Sequence, residues 1–415
     1  MNVLYIYAIG FIIIWVLAFA FKDKLKIDIS GPLLMRRTQR LRGFIDSIAQ
    51  KSPRFWRWSM NIGLPIAVFF MALMVVLLIY SLQTLLSSPQ VGIVLPGVDY
   101  PCSPVFVPFE FGIIALMTVL VVHEFGHGII SRVEGVSIKS IGVLLLAVLP
   151  GAFVEPDEEE IEKSKRMSKL RIYAAGSVFN LGLAAVSLVI YLFLTVMIIG
   201  SIAGGIPGIS IPGTNIKTQP VTFYNFSGPV YPVFNSSGMQ ISSVVPGSPA
   251  TGKLTQGMVI QSINGIPTTN IDQYNQARNN ISVGENLTFQ TNKGAVTITS
   301  VKNPNNASGY IGIRSTENLV VNNDIAKKYG DQIPWFLYSF IQLLSWIFLL
   351  NFAIGTFNLL PMKPLDGGLI LEELLRYKIS ESKVQKIINP LSYFLILIIV
   401  VSIVYTLGRG LFLLF

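Results

Sequence analysis

Six long apolar stretches dominate the chain: Val3 to Phe21, Asn61 to Leu85, Phe111 to Ile130, Ile172 to Gly200, Pro334 to Leu360 and Asn389 to Leu407. Each approaches or exceeds the ~20 apolar residues that a helix needs to cross a hydrocarbon core of ~30 Å. A backbone at that depth has no water to bond, so each stretch is expected as a helix. With 52% hydrophobic and 13% charged residues, the chain reads as a polytopic α-helical membrane protein of about six transmembrane helices. The formal charge of +9 is no nucleic-acid signal. Its excess sits in one segment, Lys22 to Met60, with ten Lys/Arg against three Asp. The positive-inside rule assigns that segment to the cytosol. There it either lies on anionic headgroups of the bilayer, helped by Phe55, Trp56 and Trp58, or serves as a topology determinant and nothing more. The single cysteine, Cys102, excludes an internal disulfide framework and a Cys-based zinc cluster.

The third stretch carries His123-Glu124-Phe125-Gly126-His127. On a helix, residues four apart share a face, so both imidazoles can grip one Zn²⁺ with Glu124 adjacent as general base. H-E-x-x-H also arises by chance in helices. Here, however, it holds both histidines of the chain and the only charged residue well inside any apolar stretch. A charge at the bilayer centre costs at least ~2.5 kcal/mol, so an intramembrane carboxylate is first read as functional. A tetrahedral catalytic zinc takes three protein ligands. With no third His and no second Cys, Asp366 is the candidate, because it closes the fifth stretch on the same side as the two histidines. The competing reading makes Asp366 a cap or turn residue before a helix over Leu369 to Tyr377.

Other segments position this motif. Ile138 to Val154 is apolar and β-branched around Pro150-Gly151, which reads as a strand–turn–strand or a re-entrant loop. Its edge could receive an extended peptide, or the hairpin could simply pack. Asp157 to Glu162 opens a solvated helix. Asn180, in the fourth stretch, reads on its own as helix–helix glue. From Ser201 to Ile333 the composition shifts to Gly, Asn, Ser, Thr and Pro. After a Gly/Pro-rich lead-in to Ser237, strands are expected at Met239 to Val245, Val259 to Ile263, Asn286 to Gln290, Ala295 to Val301 and Tyr310 to Ile313. A helix is expected at Ile271 to Asn279. All five N-x-S/T sequons, at Asn225, Asn235, Asn280, Asn286 and Asn306, fall in this α+β module, which agrees with an extracytoplasmic location. Four regions result: 1–60, an anchor helix and basic loop; 61–200 and 334–415, two halves of a membrane core; and 201–333, the inserted module.

Taken together these residues resemble the site-2 protease family of intramembrane zinc metalloproteases. His123 to His127 matches the family's H-E-F-G-H. Asn358, Pro361, Pro364, Leu365, Asp366 and Gly367 match its N-x-x-P-x-x-P-L-D-G, and Gly176 with Asn180 is similar to its small-residue-plus-Asn helix. The inserted module resembles a PDZ domain through Val244 to Ala250 and Leu254 to Gly265, departing at Met258, where an Asp is usual. The resemblance implies one Zn²⁺ per chain on His123, His127 and Asp366, with Glu124 as base and Asn180 and Asn358 supporting substrate or oxyanion. It implies a membrane-embedded β segment that takes substrate as an added strand, and transmembrane segments of membrane proteins as substrates. The PDZ-like module would take a peptide or substrate ectodomain. A catalytically inactive metal-binding or scaffold protein, or a metal transporter, stays open as the alternative, and so does the oligomeric state. The active site is expected towards the cytosolic side of the cell membrane.

Overall fold

The computed structural model describes residues 3–39, 41–85, 94–98, 105–146, 149–199, 233–303 and 308–412. Much of the segment from Ser87 to Glu110, the Gly/Pro-rich lead-in before 233, and Asn225 and Asn306 lie outside them. The chain divides into two units, residues 1–189 with 342–409 and residues 190–341 with 410–415.

The first unit begins with α1 (Val3–Ala20), α2 (Lys22–Leu25), β1 (Ile27–Ser30), β2 (Leu33–Thr38) and α3 (Arg42–Lys51). Then come α4 (Pro53–Thr84), α5 (Phe109–Val133), β3 (Ile138–Leu146), β4 (Leu149–Pro156), α6 (Glu158–Lys163) and α7 (Arg166–Ile199). Five helices among the described residues are long and apolar enough to cross a membrane: Pro53–Gln83, Phe109–Val133, Arg166–Thr195, Gln332–Phe357 and Glu381–Gly408. The remaining expected span is α1, apolar and shorter at 18 residues. Large apolar side chains point outward, as lipid-facing ones must; Phe69 is 62% and Val189 66% exposed.

The basic segment is more ordered than its charge suggested. Gly31, at φ +55°, turns β1 onto β2, and β2 pairs with β3 in an antiparallel sheet of order β1-β2-β3-β4. Trp56, expected on headgroups, instead stacks on Phe179 at 5.4 Å and donates its indole N–H to the Ile48 carbonyl. Phe55 and Trp58 do stay exposed. Ile138 to Val154 is a hairpin, but Pro150-Gly151 is not its turn. Pro150 pairs with Leu145 inside β4, which a proline can do because β4 is an edge strand. The core of this unit gathers Ile45, Met60, Ile129, Ile130, Ile141, Val154 and Ile172. α5 and α7 approach closely at Gly126, where a Cβ would lie 2.9 Å from the Ala175 carbonyl oxygen. That is the use expected of small residues between membrane helices.

The second unit contains β5 (Phe234–Val244), β6 (Val259–Ile263), β7 (Ile266–Pro267), α8 (Ile271–Asn279), β8 (Asn286–Thr291), β9 (Gly294–Thr299), β10 (Val301–Lys302), β11 (Gly309–Tyr310), β12 (Ile313–Val321) and α9 (Asn323–Tyr329). Its main sheet runs β12-β5-β6-β8-β9 over a core of Met239, Ile241, Ile260, Leu287, Phe289 and Ile298. Asn270 caps α8 by accepting from the Gln273 amide. β12 extends eight residues past the expected strand end at Ile313, because its partner β5 is itself eleven residues long. α10 (Gln332–Phe357), α11 (Asp366–Leu375) and α12 (Glu381–Phe412) complete the chain.

Candidate metal centre and its surroundings

Three elements meet at the site. α5 supplies His123, Glu124 and His127, α7 supplies Gly176, Ser177 and Asn180, and α11 supplies Asp366 from its first turn. The helical period brings His123 and His127 onto one face, with ring centroids 4.9 Å apart. Their Nε2 atoms stand 3.3 Å from each other. Asp366 Oδ2 lies 3.6 Å from His123 Nε2, and Oδ1 lies 3.4 Å from His127 Nε2. The cap reading of Asp366 gives way here: the N-cap of α11 is Leu365, and the buried carboxylate faces the histidines.

The donor set fits a small divalent cation. Ligand atoms ~2.0–2.2 Å from one centre at tetrahedral angles stand about 3.3–3.6 Å apart; the two Nε2 atoms are 3.3 Å apart, and each has one of the two Asp366 oxygens in the same range, Oδ1 at 3.4 Å from His127 and Oδ2 at 3.6 Å from His123. Tautomers agree. His127 Nδ1 lies 2.8 Å from the Ile172 carbonyl oxygen, which can only accept. Nδ1 therefore carries the proton, and Nε2 presents a lone pair. His123 Nδ1 lies 3.3 Å from the Asn180 amide nitrogen, and Asn180 Oδ1 is buried without a hydrogen-bond partner. A half-turn of that amide resolves both facts: Oδ1 then accepts from Nδ1–H and frees His123 Nε2 as a ligand. Space is reserved as well. A Cβ on Gly176 would lie 2.5 Å from His127 Nε2 and 2.6 Å from His123 Nε2.

Further groups hold the side chains in place. Ser177 Oγ donates to Asp366 Oδ2 at 2.8 Å, buried from solvent. The Asn358 carbonyl accepts from the Gly367 N–H at 2.9 Å, so Asn358 fixes the start of α11 through its main chain. Glu124 Oε2 accepts from the Val154 N–H of β4 at 2.8 Å. A cavity of about 610 Å³ opens beside the site, lined by His127, Asp366, Val154, Tyr173, Lys363 and Arg376 among others. Glu372 is tied in its wall to Lys363 at 2.5 Å and to Arg376 at 2.9 Å.

Sequence reasoning singled out His123, Glu124, His127, Asp366, Asn180 and Asn358; the first five come together, and Asn358 meets the start of α11 through its main-chain carbonyl. It passed over Ser177. Helical spacing offered a signal, since Ser177 sits three residues before Asn180 and beside Gly176, on the face that meets the histidines. The Ile172 carbonyl and the Val154 amide carried no signal at all.

Membrane-crossing helices that enclose a His–His–Asp triangle beside a glutamate define a membrane metallopeptidase. The model of peptidase family M50 matches residues 111–399, well over half of the chain. The chain belongs to that family, the site-2 protease family. It is 24% identical over 359 residues to an uncharacterised protein of Methanocaldococcus jannaschii, covering 86% of this chain and 81% of that one. It is 27% identical over 111 residues to a membrane-bound transcription factor site-2 protease homologue of Arabidopsis thaliana. That second match covers 27% of this chain and 20% of the relative.

Proposed function

We propose that this protein is a zinc-dependent intramembrane endopeptidase that hydrolyses peptide bonds in transmembrane segments of membrane proteins. The observation that carries the reading is the cluster of His123, His127 and Asp366, whose ligand atoms lie within 4.8 Å of one another, with Glu124 next to His123 on the same helix. Those three residues would hold one Zn²⁺. When bound, zinc polarises a peptide carbonyl and acidifies water at neutral pH. Glu124 takes the proton from the attacking water and returns it to the leaving amine. Asn180 keeps the His123 ring in its ligand tautomer, and Ser177 keeps Asp366 turned inward. A helix hides its carbonyls in its own hydrogen bonds, so substrate must arrive unwound. The free edge of β4, beside Glu124, is where such a segment would add as a strand.

In the same reading the site opens towards the cytosolic side, and the inserted module is extracytoplasmic and PDZ-like. There the edge strand β12 and α8 flank a cavity of about 610 Å³, which would take a peptide or substrate ectodomain. Family membership does not favour the non-catalytic or transporter alternative.

The test is cleavage of a transmembrane test substrate in detergent by wild type and Glu124→Gln, with zinc assayed in both. The reading expects the variant to keep its zinc and to lose about 10²–10⁴-fold in rate. Equal cleavage by the two would remove Glu124 from the reaction. Zinc binding without cleavage by wild type would remove the peptidase assignment for that substrate class.

A further inference from the structure

We propose that the main-chain N–H of Val154 is a latch on Glu124, released when an extended substrate segment adds to the free edge of β4. The inference rests on the peptidase reading above and adds to it a step that couples substrate docking to the freeing of the base.

Among the described residues the sheet order leaves β4 paired on one side only. Within it Val154 stands opposite Ile141 of β3, yet its N–H turns away from β3 and donates to Glu124 Oε2 at 2.8 Å. In an antiparallel pair the N–H and C=O of one residue point the same way. The Val154 carbonyl therefore also faces the free edge. An incoming strand that pairs at Val154 must set its own carbonyl oxygen where Glu124 Oε2 now lies. Carboxylate and substrate thus compete for one proton.

The strand cannot simply slide away to serve both. The Val154 side chain is buried and packs beside Gly128, where a Cβ would lie 3.2 Å from Val154 Cγ1. Gly128 follows His127 directly, so β4 is keyed to the helix that bears the site. With Val154 N–H taken by substrate, Glu124 loses its partner in the complex and turns to the water it must deprotonate. Without substrate the carboxylate stays engaged, and idle hydrolysis is suppressed.

The experiment is a binding cycle on the zinc-loaded full chain in detergent. It uses an extended apolar peptide whose scissile amide is reduced to a methylene-amine, read by fluorescence anisotropy. Glu124→Ala removes the competitor, so affinity is expected to rise about three- to tenfold. Val154→Pro removes the contested N–H and spares the β3–β4 ladder. In that background Glu124→Ala is expected to change affinity by less than about 1.5-fold. A purely structural loss from the proline would weaken binding equally with Glu or Ala at position 124 and leave the ratio intact. Should Val154→Pro not fold, an ester in place of the Val154 amide removes the same N–H and closes the same cycle. Equal or weaker binding by Glu124→Ala with zinc retained, or a ratio unchanged without the Val154 N–H, overturns the latch. Cleavage of the unreduced peptide by wild type, run in parallel, reports on the peptidase reading separately.

Discussion

Gly176→Ala adds one methyl at the point where the ligand set converges. The new Cβ would lie 2.5 Å from His127 Nε2 and 2.6 Å from His123 Cε1 and Nε2, whereas ordinary contact begins at 3.4 Å. Each ring must therefore retreat by roughly 0.8–0.9 Å, or α7 must back away from α5. Backing away would open the close packing of Gly126 against Ala175 and Phe179 and forfeit its van der Waals contacts. Metal–ligand distances tolerate only about ±0.2 Å, so the displacement falls on the ligand geometry. Overpacking of this kind costs ~1–3 kcal/mol. Placed wholly on metal binding, that is about 5- to 150-fold in affinity. The assay is zinc affinity by competition with a chromophoric chelator, alongside thermal unfolding. Gly182→Ala, on the same helix with nothing within 4 Å of the added Cβ, is the control and should bind zinc as wild type does. A Gly176→Ala protein with wild-type zinc affinity and wild-type melting would refute the reasoning that these rings and this glycine share one crowded ligand site.

Ser177→Ala removes the hydroxyl that orients Asp366, and zinc affinity should fall about 10- to 100-fold with the fold retained; unchanged affinity would reduce Ser177 to packing. Chelation of the metal should lower the melting temperature of wild type in a concentration-dependent way, because a ligand that binds only the folded state stabilises it by mass action. The shift should be much smaller in His127→Ala, and an equal shift there would place the metal elsewhere. The hydrogen bond from Lys169 at 2.7 Å, helped by its charge and that of Arg376, holds the Glu162 carboxyl below the usual carboxylate range. A depressed folded-state value adds stability above the unfolded value, ~4.3, and loses it as pH falls through the folded one. Glu162→Gln should flatten that acid limb of the melting curve, modestly because the side chain is more than half exposed; an acid limb identical to wild type would count against the pairing.

Legibility in the sequence followed chemistry rather than structure. The histidines were legible because the chain has only two, and Glu124 because a charge inside an apolar stretch has few cheap explanations. Asp366 was half legible: its Gly-rich, Pro-rich setting suits a helix start as well as a ligand, and it does begin α11 while facing the histidines. The long helices were readable, since uncharged length has one use in lipid, but α4, α7 and α12 begin six to eight residues before the apolar stretches, in polar turns that periodicity of apolar residues does not mark. The β1–β2 hairpin was not, because ten basic residues drew the eye to the membrane surface and hid the Gly31-Pro32 turn between two short runs. Pro150-Gly151 misled in the opposite direction, since a turn dipeptide also fits an edge strand. Main-chain groups were invisible. The Ile172 carbonyl, the Asn358 carbonyl and the Val154 N–H each fix a site residue, and every residue type carries such groups.

One helix does much of the assembling. On α7, Gly176 leaves room for the two rings, Ser177 reaches Asp366, and Asn180 reaches His123, all within five consecutive positions. Four residues earlier, the Ile172 carbonyl fixes His127. Positions 172, 176 and 180 repeat at four-residue intervals, so one face of a rigid rod touches every member of the triangle on α5 and α11. Turning α7 by a single residue, about 100°, would strip all four contacts at once. The small residues that let α5 and α7 approach are therefore inseparable from the chemistry. The close approach at Gly126 sets the distance, and the face of α7 sets the tautomers and the space that the metal-binding geometry requires.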